Sequence, residues 1–159
     1  MPTLNVVDRV VIASGRENRS RALTGVQLLD NGDLLVGYRD ATTHPMFVER
    51  VVDDVAVFTV RSTDHGETWG DPHAVCALPG WDCAGGRSMV RTPDGEIIMF
   101  VMKARRVGGG PKQSSVHPFR SRDDGHTWSD FSPELSLYPG GWTEPNTTGR
   151  VIELPDGRW

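Results

Sequence analysis

No stretch of this chain reaches the roughly 18 consecutive apolar residues that an α-helix needs to cross a membrane. The N-terminus, Met1-Pro2-Thr3-Leu4-Asn5-Val6-Val7-Asp8-Arg9, lacks the basic start and apolar run of a secretory leader, leaving the cytoplasm as the default compartment. Cysteine is scarce: Cys76 and Cys83 alone, flanking Pro79-Gly80. They read as a loop disulfide or, without a leader, as two thiols. No group of Cys and His has metal-ligand spacing, so neither a metal nor a cofactor is expected. Arg105-Arg106-Val107-Gly108-Gly109-Gly110-Pro111-Lys112 lacks the G-x-x-x-x-G-K-[ST] spacing of a phosphate cradle. The basic, glycine-rich segment 104–112 reads instead as a mobile flap. Positive charge is not in excess either, since the net charge of −4 argues against a nucleic-acid or membrane-surface partner.

Tight turns are abundant. Eighteen glycines, eleven prolines and five tryptophans favour many short strands over long helices. One turn occurs twice. Ser62-Thr63-Asp64-His65-Gly66-Glu67-Thr68-Trp69 returns, after an interval of 59, as Ser121-Arg122-Asp123-Asp124-Gly125-His126-Thr127-Trp128. Ser, Asp, Gly, Thr and Trp keep their places, although a common residue has a chance frequency near ~5%. In such a turn the aspartate accepts backbone N–H groups, the glycine supplies positive φ, the hydroxyls tie down further groups and the indole is an anchor. We call this turn the box. A hairpin signal keeps step with it: Leu29-Asp30-Asn31-Gly32-Asp33, Thr92-Pro93-Asp94-Gly95-Glu96 and Leu154-Pro155-Asp156-Gly157-Arg158. Its glycines are 63 and 62 residues apart. The chain therefore repeats a unit of about 60 residues. Within it, strands are expected near 23–30, 33–39, 54–61 and 72–78, then near 86–92, 96–103, 113–120 and 131–137.

The pattern S-x-D-x-G-x-T-W resembles the Asp-box of the sialidase superfamily, whose boxes join the third and fourth strands of propeller blades. The resemblance implies an all-β fold, a six-bladed β-propeller of the sialidase type. This chain would supply about two and a half of its blades, a full ring needing about 360 residues. Segment 1–13 would complete the last blade, 20–78 form the first, 79–137 the second and 138–159 the start of the third. The box residues Ser62, Asp64, Gly66, Thr68, Trp69, Ser121, Asp123, Gly125, Thr127 and Trp128 would be structural.

Resemblance also nominates a site. An arginine opening the first strand and a second about twenty residues later fit Arg21 and Arg39, implying two guanidinium forks on the carboxylate of a sialic acid. The partner implied is an acidic carbohydrate. Ala22-Leu23 stands where the family has Ile-Pro. The family's acid/base aspartate falls in register with His44 or Pro45, so His44, Asp40 and Asp54 are the catalytic candidates. Arg87, in Gly85-Gly86-Arg87-Ser88-Met89, and Glu144, beside Trp142, are further substrate-binding candidates. The family's tyrosine–glutamate pair and third arginine come from later blades, so hydrolysis by these 159 residues alone is not expected. Two rivals share these residues: a non-catalytic propeller that binds glycans or proteins, and a box-containing glycosidase acting on neutral polysaccharides.

Overall fold

The computed structural model describes residues 10–12, 19–42, 54–106, 112–131, 152 and 154–156. They hold nine β-strands and no helix. Strands β1 (Ser20–Leu28), β2 (Leu34–Ala41), β3 (Asp54–Ser62) and β4 (His73–Cys76) form an antiparallel meander. A second meander begins with β5 (Trp81–Ala84) and β6 (Met89–Arg91), which both pair with β7 (Ile97–Arg106). It continues through β8 (Lys112–Ser121) to β9 (Ser129–Asp130). One parallel pairing, Asp54-Val55 with Trp81-Asp82, joins the two into an all-β mixed sheet that does not close.

Each box fills the connection to the last strand of its meander, and the two are wired alike. Ser62 Oγ donates to Asp64 Oδ1 (2.8 Å) and accepts from Gly66 N (2.7 Å). Thr68 N donates to the same carboxylate at 2.8 Å, and the Thr68 hydroxyl donates to its other oxygen. In the second copy Ser121 Oγ to Asp123 Oδ1, Gly125 N to Ser121 Oγ and Thr127 N to Asp123 Oδ1 measure 2.8, 2.7 and 2.8 Å. The backbone turns left-handed at His65 (φ 59°) and Gly66 (φ 96°), and again at Asp124 (φ 55°) and Gly125 (φ 89°). Left-handed φ is strained for a side chain with a Cβ, and the side-chain bonds hold it in place. Both hairpins repeat too, with Leu29 N to Asp33 O at 2.9 Å and Thr92 N to Glu96 O at 2.8 Å. Of the third, residues 154–156 are described, and Pro155 and Asp156 lie in a turn.

A further repeat joins hairpin to box. Arg61, just before the first box, contacts Asp33 at 2.6 Å; Arg120, just before the second, contacts Glu96 at 3.4 Å. Arg61 also donates to the Asp124 carbonyl, while Arg91 reaches Asp124 Oδ1 at 2.9 Å and Asp30 Oδ2 at 2.7 Å. Both guanidiniums thus span from the first hairpin to the second box.

Strand alternation sorts β2 into two faces. Leu35, Gly37, Arg39 and Ala41 turn toward the second meander; Val36, Tyr38 and Asp40 turn away. Between the meanders lies the main core, including Leu35, Val57, Val75, Met89, Ile97, Met99, Val101 and Phe119, with Trp81 and Trp128 against it. Gly37 and Gly86 permit the close approach: a Cβ on Gly37 would lie 2.6 Å from the Gly86 carbonyl oxygen. The outward face carries a smaller cluster of Val36, Tyr38 and Val60, flanked by Ile12, Phe58 and Trp69. Cys76 and Cys83 are buried thiols, Sγ to Sγ 3.2 Å, bridging β4 to β5.

The strand expected near 131–137 is met earlier, as β9 at Ser129–Asp130, with residues 132–137 outside the described set, and three further sequence expectations change. Of the strand expected over 86–92 only β6, Met89–Arg91, is formed, and β5 precedes it, because Gly86 and Arg87 between the two pack on Gly25 and Gly37. Of the flap expected over 104–112, Ala104, Arg105 and Arg106 belong to β7 and Lys112 opens β8, while residues 107–111 lie outside the described set. Val10–Ile12 form no strand, and the rest of segment 1–13, expected to complete the last blade, lies outside the described residues.

Gly37→Ala should lower unfolding stability in urea by about 1–3 kcal/mol, because its methyl meets backbone that cannot swing aside. An unchanged midpoint would mean that the meanders separate freely here. The carboxyls of Asp64 and Asp123 are each lowered to about 2. For Asp64 the Thr68 hydroxyl and N–H and the Ser62 hydroxyl are responsible; for Asp123 burial opposes ionisation and the Thr127 and Ser121 bonds outweigh it. Both folded values lie below the ordinary 3.8, so their contribution is complete above that range and fades as pH falls to about 2. Thermal melts should drop across this acid window. The double variant Asp64→Asn, Asp123→Asn should start lower at neutral pH and show a flatter acid limb.

Candidate functional site

On the outward face, alternation and register gather a charged cleft. Arg21 of β1 is the cross-strand partner of Asp40 of β2, and Tyr38 lies two residues along the same face. Asp40 Oδ1 accepts from Arg19 Nε, and Asp40 Oδ2 accepts from Arg21 Nε at 2.8 Å. The Arg21 guanidinium stands 5.5 Å over the Tyr38 ring, which is stacked on Phe58 at 6.0 Å. With Pro72 these side chains line a cavity of about 480 Å³. Burial opposes ionisation of Asp40, but the hydrogen bonds and charges of Arg21 and Arg19 outweigh it and hold the carboxyl below its ordinary value. Burial pushes the Tyr38 hydroxyl up. In this state Asp40 is an ionised acceptor and Tyr38 a protonated one.

Arg21 and Arg39 do not converge. Arg39 pairs with Ala22 on the face toward the second meander, where it is 1% exposed and its Nη2 lies 3.7 Å from Asp82 Oδ1. An odd separation within the β1–β2 register sends the two guanidiniums to opposite sides. Arg87 lies half-buried in the segment between β5 and β6, its backbone against Gly25, and does not line the cleft. Asp54 is the first residue of β3, two before Ala56, the partner of Asp40. His44 and Glu144 lie outside the described residues.

Arg19, Tyr38, Phe58 and Pro72 were missed from sequence. A signal was present for two of them: Arg19-x-Arg21 and Tyr38-x-Asp40 are spaced by two, the period that puts strand residues on one face. Among the described residues no group of three or more His, Cys, Asp and Glu is placed to hold a metal ion.

A second polar cluster lies on the other meander. Ser115 Oγ is 2.8 Å from His117 Nε2, His117 Nδ1 is 3.4 Å from Asp130 Oδ2, and Lys103 Nζ reaches the same oxygen at 2.5 Å. The order is that of a hydrolytic triad. Yet Ser115 is 9% exposed and Lys103 already answers the carboxylate that would have to support an imidazolium. The cluster is a cross-strand tie.

No protein-family model and no curated protein matches the chain. Among solved structures, a protein of unknown function from Dyadobacter fermentans DSM 18053 is similar at TM-score 0.69 and 19% identity, over 92% of this chain and 47% of that one. At that identity the likeness establishes a shared fold. The chain spans about half the length of that protein.

Arg39→Ala should unfold the protein more easily by about 3–5 kcal/mol, because Asp82 keeps its burial and loses the opposite charge of Arg39. Arg21→Ala, at a half-buried cleft position, should cost under about 1 kcal/mol. Chemical denaturation of both variants checks the pair; equal losses would contradict the assignment of the two arginines to opposite faces.

Proposed function

We propose that the chain is part of a sialidase-type β-propeller, of the glycoside-hydrolase kind, that grips the carboxylate of an acidic sugar in the Arg19–Arg21–Asp40 cleft. Supporting the architecture are the two meanders, each with its box before the last strand. Supporting the ligand is one arrangement: two guanidiniums presenting Nε–H groups to the two oxygens of a single carboxylate, beside stacked rings. Asp40 occupies the position of the ligand's own acid group. A sugar carboxylate entering the cleft competes with it for the same donors.

That competition has a chemical consequence. Once its hydrogen bonds pass to the ligand, Asp40 keeps its burial and loses the interactions that lowered it, so its proton affinity rises. A carboxyl raised in this way becomes a proton donor next to the bound sugar. Tyr38 is not a nucleophile in this reading: burial keeps it protonated and its ring is committed to Phe58 and Arg21. The non-catalytic alternative, a propeller that binds glycans, is favoured by the same fact that neither Asp40 nor Tyr38 is poised for chemistry before ligand arrives.

Calorimetric titration with sialyllactose, against lactose as the carboxylate-free control, tests the reading. Sialyllactose alone should bind, and Arg21→Ala should weaken it roughly tenfold or more. Asp40→Asn removes the competitor and should tighten binding, while abolishing the proton uptake that accompanies it. A loss of affinity in Asp40→Asn equal to that in Arg21→Ala would count against the competition.

A further inference from the structure

A second cavity lies at the end of β3 that leads into the first box, where the two boxes meet. Its volume is about 310 Å³, and it shares no residue with the arginine cleft. Between them runs the segment before β4: Pro72 faces the cleft, Asp71 and His73 face this crevice. The crevice exists because the second box docks on the first meander. Gly125 lies so close to Leu35 that a Cβ would come within 2.6 Å of Leu35 Cδ2, and Arg61 donates to the Asp124 carbonyl.

We propose that this crevice is a binding site for a neutral sugar or polyol. Its wall is chemically mixed. The Trp69 indole gives a flat apolar side, its Nε1 already donating to the Gly66 carbonyl at 3.1 Å. Around it stand the Thr63 hydroxyl, the Asp71 carboxylate and the His73 and His126 imidazoles, for which the described residues show no side-chain hydrogen bond or ion pair. Thr59 adds the most specific mark. It is 1% exposed, it lines the crevice, and its Oγ1 has no hydrogen-bond partner among the described residues. A buried hydroxyl without a partner is costly, and a ligand hydroxyl at the crevice wall would satisfy it.

The charge pattern selects the ligand class. Arg61, the one arginine among the described wall residues, is engaged by Asp33 and the Asp124 carbonyl, leaving Asp71 as the available charge among them. An anion is therefore repelled, and the metal alternative lacks a group of three donors among the described residues. A sugar ring offers an apolar C–H face for the indole and hydroxyls that donate to a carboxylate or accept from an imidazole. The volume is at the low end of the roughly 300–1,000 Å³ typical of small-molecule sites, suited to one ring.

The full chain would be titrated with four neutral probes, the methyl glycosides of glucose, galactose, mannose and fucose, followed by saturation-transfer NMR and calorimetry. At least one should bind saturably. Asp71→Asn, at an exposed position, should weaken that binding roughly tenfold. Thr59→Val should weaken it as well while leaving the melting temperature equal or higher, because it removes a hydroxyl that lacks a protein partner. Arg21→Ala should leave it untouched, which separates failure of this site from failure of the acidic-sugar cleft. The proposal is overturned if none of the probes saturates, if Asp71→Asn binds as the parent does, or if Thr59→Val melts lower.

Discussion

A serine hydroxyl caught between a carboxylate and a glycine N–H is the contact on which the rest of this structure depends. Ser62 and Ser121 each donate to the aspartate two residues on and accept from the glycine four residues on. The closed ring of bonds keeps a left-handed backbone pair in place through contacts made within the turn itself. It also sets the direction in which each meander's last strand leaves, and it puts Trp69 and Trp128 where they cover different apolar clusters. Because every acceptor in the ring is local, the turn is transferable. The same conformation therefore appears twice although the surrounding residues differ.

The two meanders are then fastened by contacts that reach across the repeat. Arg61 and Arg91 both run from the first hairpin to the second box, and the Gly85–Ser88 segment presses on Gly25 and Gly37. That last contact explains why the first strand of the second meander is broken. Backbone that packs at this distance gives up its ladder pairing, and glycine is the residue that lets it do so. Packing on one face of β2 leaves the opposite face to gather Arg19, Arg21, Tyr38 and Asp40. The polar cleft is in this sense the other side of the core.

Much of the fold was legible in the sequence, for a physical reason. Boxes and hairpins are short-range devices whose bonds close within four or five residues, so spacing alone reveals them. The arginine that precedes each box and pairs with the acidic residue beyond the hairpin glycine is equally periodic, though a weaker signal than the box itself. The site was less legible. Arg21 meets Asp40, whereas Arg39, expected to converge with Arg21, lies beside Asp82 on the opposite face. Strand register decides which side a residue takes, and shifting it by one reverses the answer. Phe58 and Pro72 come from other strands and carry no local signal at all.

By itself, then, the sequence determined a repeating all-β chain, the positions of its turns and the residues that wire them, because those interactions are made between neighbours along the chain. Only the tertiary structure decided that Arg39 is buried against Asp82 while Arg21 faces the cleft, that Asp40 is ionised between two guanidiniums, and that the boxes enclose a crevice between them. Each of these depends on how strands pair and how the meanders press together. Those distances are set by contacts tens of residues apart, which no local pattern encodes.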